Sequence, residues 1–134
     1  MFTDRYGNEL KNTSGSKSIT INGKTGTLYW NRQGNVVSYM IDITLDSDNG
    51  GTYTFENFLP YNHPLAYATI SSHVATTDVH AYGDMRTNGK QLTIYTPSYG
   101  NTHTVRGTLT VVVADQLRLY ATNGQIWKRI RTNL

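Results

Sequence analysis

The stretch from Gly26 to Asp46 constrains the fold more than any other part of the sequence. In its second half, every other residue is apolar or aromatic: Val37, Tyr39, Ile41, Ile43 and Leu45. The positions between them are more polar: Val36, Ser38, Met40, Asp42 and Thr44. Alternation of this length predicts a β-strand with one buried face. A shift of one residue would move Asp42 into the core, so the register should be firmly set.

A second β-favouring run, from Thr27 to Arg32, comes just before this strand. The two runs are joined by Gln33-Gly34-Asn35, in which Gly34 and Asn35 tolerate the positive φ that tight hairpin loops require. The sequence therefore predicts a long β-hairpin, which we take as the spine of the domain.

The rest of the chain repeats this pattern of short β-favouring runs and turn signals. Further strands are predicted over residues 17–22, 52–58, 66–74, 78–86, 90–96 and 102–113, with a final hairpin over 117–131. Thr87-Asn88-Gly89 is a predicted turn, and the two prolines within residues 59–64 predict a loop or an edge crossing. There is no apolar period of 3.6 residues. The predicted fold is all-β, an antiparallel β-sandwich or a Greek-key-like β-barrel.

The length of 134 residues predicts one domain. Residues 1–16 are polar and predict a linker or the stub of a stalk, although the sequence could also be a piece of a longer chain. Residues 17–134 are predicted to form a single β domain, in which 114–134 add a C-terminal hairpin. There is no cysteine, which excludes disulfides and thiolate metal sites, and no apolar run approaches the length of a membrane span.

The most distinctive polar pattern lies in the predicted strand 78–86. Alternation places four side chains on one face: His80, Tyr82, Asp84 and Arg86. An aromatic ring can stack on the C–H face of a sugar, while charged groups bond to its hydroxyls. Arg86 could also hold a phosphate in bidentate fashion. The alternative is a solvated outer face with a weak Asp–Arg pair.

A second candidate set lies on the predicted loops: Tyr61, His63 and Tyr99. Tyrosine on a loop offers a large and fairly rigid contact area, which binding loops commonly use. The alternative is that these tyrosines plug the ends of the barrel and leave only their hydroxyls in water.

The C-terminal strand carries aromatic and basic residues on one face: Trp127, Arg129 and Arg131. The net charge is only +3, and the basic residues are too few and too local for a nucleic-acid groove. A subunit contact is the preferred interpretation, because tryptophan and arginine are enriched at interfaces. The basic cluster of Lys128, Arg129 and Arg131 could bind an anionic partner, but a solubilising edge strand is the preferred interpretation of that cluster. Trp30 is predicted to fill the core or an interface.

Catalytic and cofactor signals are weak throughout the sequence. The chain has 9 acidic residues, and there is no Gly-x-Ser-x-Gly, P-loop or nucleotide fingerprint. The four histidines are scattered and lack metal-ligand spacing. We therefore expect a protein that is not an enzyme and that uses no cofactor or metal.

Four segments, taken in order, resemble the receptor-binding head domains of phages of Gram-positive bacteria. They are Arg32-Gln33-Gly34-Asn35-Val36-Val37, Phe58-Leu59-Pro60, Asn88-Gly89-Lys90-Gln91-Leu92-Thr93-Ile94 and Arg106-Gly107-Thr108-Leu109-Thr110-Val111. The resemblance implies a β-barrel or β-sandwich head at the tail tip or baseplate of a virion. It also implies a homotrimer that contacts other tail proteins and binds a host cell-wall saccharide. Heads of this kind often finish near the strand equivalent to residues 102–113, whereas this chain continues into another predicted hairpin.

The leading hypothesis is thus a non-catalytic adhesion domain that binds a surface saccharide. The second is a structural module that assembles a tail or baseplate and has no ligand of its own. A cell-wall glycan hydrolase would need two placed carboxylates, and a nucleic-acid binder would need a wider basic surface.

Overall fold

The computed structural model describes residues 12–46, 50–74, 79–97 and 102–114. The predicted linker before residue 12, Tyr99 and the C-terminal hairpin with Trp127, Arg129 and Arg131 lie outside the described residues. The described part contains eight strands: β1 (Asn12–Ile21), β2 (Lys24–Gln33), β3 (Val36–Leu45), β4 (Gly51–Phe55), β5 (His63–Val74), β6 (Val79–Gly89), β7 (Gln91–Thr96) and β8 (His103–Val112). The prediction of an all-β fold is confirmed. Among these residues, no helix is long and apolar enough to span a membrane.

All eight strands form one antiparallel sheet, in the order β1-β2-β3-β8-β5-β6-β7-β4. The predicted spine hairpin is β2–β3. Strand β8 lies beside it and pairs with β3 along its whole length, from Val36–Val112 to Leu45–His103. On its other side β8 pairs with β5 at Ser71–Arg106, Ser72–Val105 and His73–Thr104. Strand β8 therefore connects the N-terminal hairpins to the rest of the sheet.

One face of the sheet forms the core. The five residues predicted to face inwards from β3 are at most 1% exposed, while Met40 on the other face is 46% exposed. Buried side chains from strands at both ends of the sheet, such as Ile19 in β1 and Ile94 in β7, belong to the same core cluster. The sheet must therefore curl around its inner face.

The curl brings the edge strand β1 close to β4 and to the loop of residues 56–62. Asn22 Nδ2 donates to Tyr53 OH at 3.1 Å, and Lys17 Nζ donates to the carbonyl oxygen of Phe58 at 2.9 Å. The amides of Phe58 and Leu59 both bond to the carbonyl of Lys90, which fixes the loop. We call this boundary the seam: β1, the side chains of Trp30 and Arg32 on the adjacent strand β2, and residues 56–62.

The tight turns lie at or near the glycine and asparagine residues that predict turns in the sequence. Asn22 and Gly23 both have positive φ, 48° and 81°, as a type I′ hairpin turn requires. Between β2 and β3 only Gly34 has positive φ, 62°, and Asn35 does not. The turn predicted at Thr87-Asn88-Gly89 is displaced, because Asn88 pairs with Gln91 and the loop is Gly89-Lys90.

The strand ends depart from prediction at β1 and β5. Strand β1 begins at Asn12 rather than at Lys17, because its first residues are held by backbone pairing with β2 and carry no apolar alternation. Strand β5 begins at His63 rather than at Ala66, and its register with β6 shifts between these two residues. A shift there accommodates Pro64, which cannot donate a ladder hydrogen bond.

Two glycines permit close approach where the sheet bends. A Cβ atom at Gly107 would collide with the side chain of Ile70, and one at Gly83 would collide with the backbone of Tyr95. Glycine inside a strand commonly marks such an approach.

We expect Gly107→Ala to lower the free energy of unfolding by about 1–3 kcal/mol, because the added methyl group overpacks the core against Ile70. Urea unfolding measures this. Thr108→Ala, an exposed change on the same strand, is the matched control and should stay within about 0.5 kcal/mol of the parent. Equal losses in the two variants would contradict the packing argument.

Candidate functional site

The outer face of β6 carries the predicted row of polar residues. His80, Tyr82 and Arg86 are exposed and Asp84 is partly exposed, whereas Met85 on the opposite face is fully buried. Strand β6 is paired on both sides, with β5 and with β7. Backbone pairing on both sides holds Asp84 and Arg86 in place, whereas His80 and Tyr82 are held by their pairing with β5.

Asp84 and Arg86 form a forked ion pair on this row. Arg86 Nε lies 3.0 Å from Asp84 Oδ1, and Arg86 Nη2 lies 3.3 Å from Asp84 Oδ2. The hydrogen bonds and charge of this carboxylate raise the pKa of Arg86 above its ordinary value. The guanidinium also lies over the ring of Tyr67, 5.5 Å from its centroid. Because Arg86 already has a carboxylate partner, the pair favours a neutral, hydroxyl-rich ligand over a phosphate.

Exposed rings flank this ion pair. Tyr67 on β5 is 63% exposed and lies directly opposite Arg86, while Tyr82 on β6 is 68% exposed and lies opposite Ser71. Next along the strands, the rings of His73 and His80 stack with centroids 4.4 Å apart. We call this set the β6 outer patch: Tyr67, His73, His80, Tyr82, Asp84 and Arg86.

The predicted loop set is not part of this patch. His63 is 2% exposed, and its Nδ1 donates to the carbonyl of Val112 at 2.8 Å. Its Nε2 therefore accepts the hydrogen bond from the buried hydroxyl of Tyr39. The structure places His63 in the interior rather than on an exposed loop. Tyr61 is half-buried and packs against the core, and its hydroxyl bonds to Thr13 Oγ1 at 2.7 Å.

Burial has opposite effects on the two buried partners. It raises the pKa of the Tyr39 hydroxyl and lowers the pKa of His63, because in each case it disfavours the charged form. Both groups are therefore neutral near pH 7. The hydrogen bond from Nδ1 to the Val112 carbonyl opposes the shift of the His63 pKa only in part.

Arg32, which is not among the predicted site residues, is only 8% exposed. Its guanidinium lies 4.7 Å from the ring centroid of Tyr61, and its Nε donates to the carbonyl of Gly34 at 2.7 Å. The alternation of Leu28, Trp30 and Arg32 was the available signal, because it places Arg32 on the inner face.

Trp30 lies next to Arg32 on that face. It is half-buried, and its indole occupies the space that a Cβ at Gly15 would need. The ring also packs against the core cluster. This placement fits the core-filling role that was predicted, and it leaves the interface role a prediction.

No cluster of three or more histidine, aspartate or glutamate side chains suited to a metal ion occurs within 12–46, 50–74, 79–97 and 102–114.

No protein-family model matches the chain, and no curated protein sequence matches it. Among solved structures, the chain is similar to the fibre head protein of bovine atadenovirus type 4. The two share 13% sequence identity, the match covers 72% of this chain and 96% of the fibre head, and the TM-score is 0.45. A likeness this distant does not establish a common function.

Because the pKa of His63 is lower in the folded protein than in the unfolded chain, the unfolded state binds the proton more readily. This contribution to stability is complete above a pH of about 6.5 and is lost as the pH falls towards the folded-state pKa. We expect the free energy of unfolding to fall between about pH 7 and pH 5.

Urea unfolding across this pH range tests the assignment. His63→Gln should flatten the profile, although it also lowers stability at pH 7 by removing a buried hydrogen bond. The control Thr108→Ala, an exposed change on β8, should leave the acid-side loss in place. A profile that His63→Gln leaves unchanged would rule out His63 as its source.

Proposed function

We propose that this chain is a non-catalytic receptor-binding domain that recognises a cell-surface saccharide through the β6 outer patch. The observation that carries the proposal is the placement of Tyr67 and Tyr82, both more than half exposed, beside the forked pair of Asp84 and Arg86. The two rings lie on neighbouring strands on either side of the ion pair, and a ligand that covered them would remove their apolar surface from water.

The chemistry of the patch suits a sugar. The tyrosine rings offer flat apolar surfaces to the C–H face of a pyranose. Asp84 retains acceptor capacity and Arg86 retains N–H groups beyond those that they share. Ligand hydroxyls can bond to both groups without the desolvation of an unpaired charge, because the two residues neutralise each other.

The carboxylates support a binding role rather than a hydrolytic one. The described residues include four: Asp42, Asp46, Glu56 and Asp84. Three of them form ion pairs: Asp42 with Arg106, Asp46 with Lys24, and Asp84 with Arg86. Glu56 accepts a hydrogen bond from Gln91 at 2.7 Å. A glycosidase needs two carboxylates placed on either side of one bond, and these four are committed to other partners.

The biological setting that we propose is the tail tip or baseplate of a phage of Gram-positive bacteria, with the domain acting as a homotrimer on the host cell wall. The support is the ordered resemblance noted above, whose segments include the β2–β3 turn, the β6–β7 hairpin and β8. Single saccharide sites are weak, and several heads acting together would supply avidity.

A second candidate function is a structural assembly module. It is favoured by exposed apolar side chains on the outer face of β2, β3 and β8. Tyr29 pairs with Met40, and Val36 pairs with Val112, and each of the four is between 37% and 46% exposed. A partner protein that covered this surface would leave the β6 outer patch without a role in assembly.

Binding to a panel of purified cell-wall polysaccharides distinguishes the two functions. We expect Tyr82→Ala and Asp84→Ala each to weaken binding by about tenfold or more, because a buried contact at the centre of a site typically costs over 1 kcal/mol. His80→Ala should weaken binding less. The matched control is Tyr29→Ala, which removes an exposed tyrosine from the outer face of β2.

Circular dichroism and thermal melting establish that each variant is folded. The proposal fails if all three patch variants bind like the parent, or if Tyr29→Ala weakens binding as much as Tyr82→Ala does. The second result, together with binding to tail proteins, would favour the assembly module.

A further inference from the structure

Arg32 is a buried cation, and no acidic side chain among the described residues pairs with it. Its side chain is 8% exposed, yet the ion pairs among the described residues join Lys24 to Asp46, Arg86 to Asp84 and Arg106 to Asp42. A charge withdrawn from water is costly unless an opposite charge or several hydrogen bonds compensate it. An anionic ligand beside the guanidinium would compensate this buried charge.

The guanidinium is held in one orientation. Nε donates to the carbonyl of Gly34 at 2.7 Å, and the plane lies over the ring of Tyr61. Tyr61 is itself fixed by the 2.7 Å hydrogen bond between its hydroxyl and Thr13. Within the described part of the chain, Nε is the nitrogen that bonds to protein, so the two terminal nitrogens remain to receive a ligand. A fixed guanidinium loses little freedom when it binds an oxyanion in bidentate fashion.

The aromatic residues next to Arg32 carry no negative charge that would neutralise the guanidinium. Tyr61 lies between Arg32 and His63, whose ring is 6.5 Å from that of Tyr61, and His63 bonds in turn to Tyr39. Both His63 and Tyr39 are neutral near pH 7 because of their burial. The positive charge of Arg32 also contributes to lowering the pKa of His63. The charge of Arg32 therefore acts on its buried neighbours, and no carboxylate of the described residues pairs with it.

A second cation lies further along the same seam. Lys17 Nζ donates to the carbonyl of Phe58 and lies 4.2 Å from the centroid of the Phe58 ring. The register pairs Lys17 with Leu28, Gly15 with Trp30 and Thr13 with Arg32. Trp30 therefore separates the two cations. Because Lys17 and the partner of Arg32 are four residues apart on β1, the cations are spaced by about 13 Å along the strand.

We propose that the seam is a second binding site, which takes an extended ligand bearing oxyanion groups, either phosphoryl or carboxylate. Arg32 binds one oxyanion in bidentate fashion against Tyr61, and Lys17 binds a second beyond Trp30. The net charge of +3 favours approach of such a polyanion. The site is separate from the β6 outer patch, and the inference does not depend on the saccharide function.

The direct test follows the side-chain Nε–H signals of arginine by ¹⁵N NMR while inorganic phosphate is added to the whole protein, with sodium chloride at matched ionic strength as the control. We expect the signal of Arg32 to shift saturably with phosphate, and those of Arg86 and Arg106, which have carboxylate partners, to stay in place. If Arg86 or Arg106 shifts and Arg32 does not, or if no arginine responds, the inference is wrong.

Short-chain polyphosphate and oligogalacturonate then probe the whole seam and distinguish phosphoryl from carboxylate ligands. We expect Arg32→Gln to weaken binding of the higher-affinity polymer by about tenfold, and Lys17→Gln to weaken it by about threefold. The loss is larger at Arg32 because charge-assisted hydrogen bonds are stronger at buried sites than at exposed ones. If neither polymer binds, the inference is overturned.

Lys24→Gln is the matched control, because it removes the same charge from the same hairpin but from a lysine that pairs with Asp46. It should leave the polymer affinity nearly unchanged, and a loss equal to that of Lys17→Gln would show non-specific attraction and overturn the site.

Should Arg32→Gln fail to fold, Lys17→Gln and the Arg32 signal of the parent still decide the matter. Tyr82→Ala should not affect polyphosphate binding, so a failure here is distinct from a failure of the saccharide proposal.

Discussion

The pairing of β3 with β8 is the interaction on which the rest of the structure depends. These strands lie far apart in the sequence, yet they pair from Val36–Val112 to Leu45–His103. The ladder joins the N-terminal hairpins to β5, and through β5 to β6 and β7. On the inner face it places Tyr39 opposite Leu109 and Ile41 opposite Gly107, where the missing side chain leaves room for Ile70. Chain pairing and core packing therefore support each other along these two strands.

The two proposed sites lie on different parts of this sheet and differ in charge. The β6 outer patch is neutral, because Asp84 and Arg86 pair with each other. The seam carries the cations Lys17 and Arg32, which lie against the rings of Phe58 and Tyr61, while its described carboxylate, Glu56, bonds to Gln91. A polymer with both sugars and anionic groups would offer suitable chemistry to each.

Alternation along the sequence correctly predicted the buried side of β3 and the exposed side of β6. It did not predict the start of β1, since Asn12–Ser16 pair through the backbone and carry no apolar pattern. It also left the strand order open, because a period of two identifies a face and not a neighbour. His63 was assigned to a loop because prolines flank it. Its burial depends on Tyr39 and on the carbonyl of Val112, which only the folded chain brings together.

Native-state amide hydrogen exchange tests the central claim most directly, namely that the β3–β8 ladder holds the sheet together. We predict that the slowest amides in the protein are those of β3 and β8 that bond to each other, and that they exchange only through global unfolding. The edge strands β1 and β4 should exchange faster by local opening. Faster exchange in β3 and β8 than in β5 and β6 would contradict the account, because the sheet would then have its stable centre elsewhere.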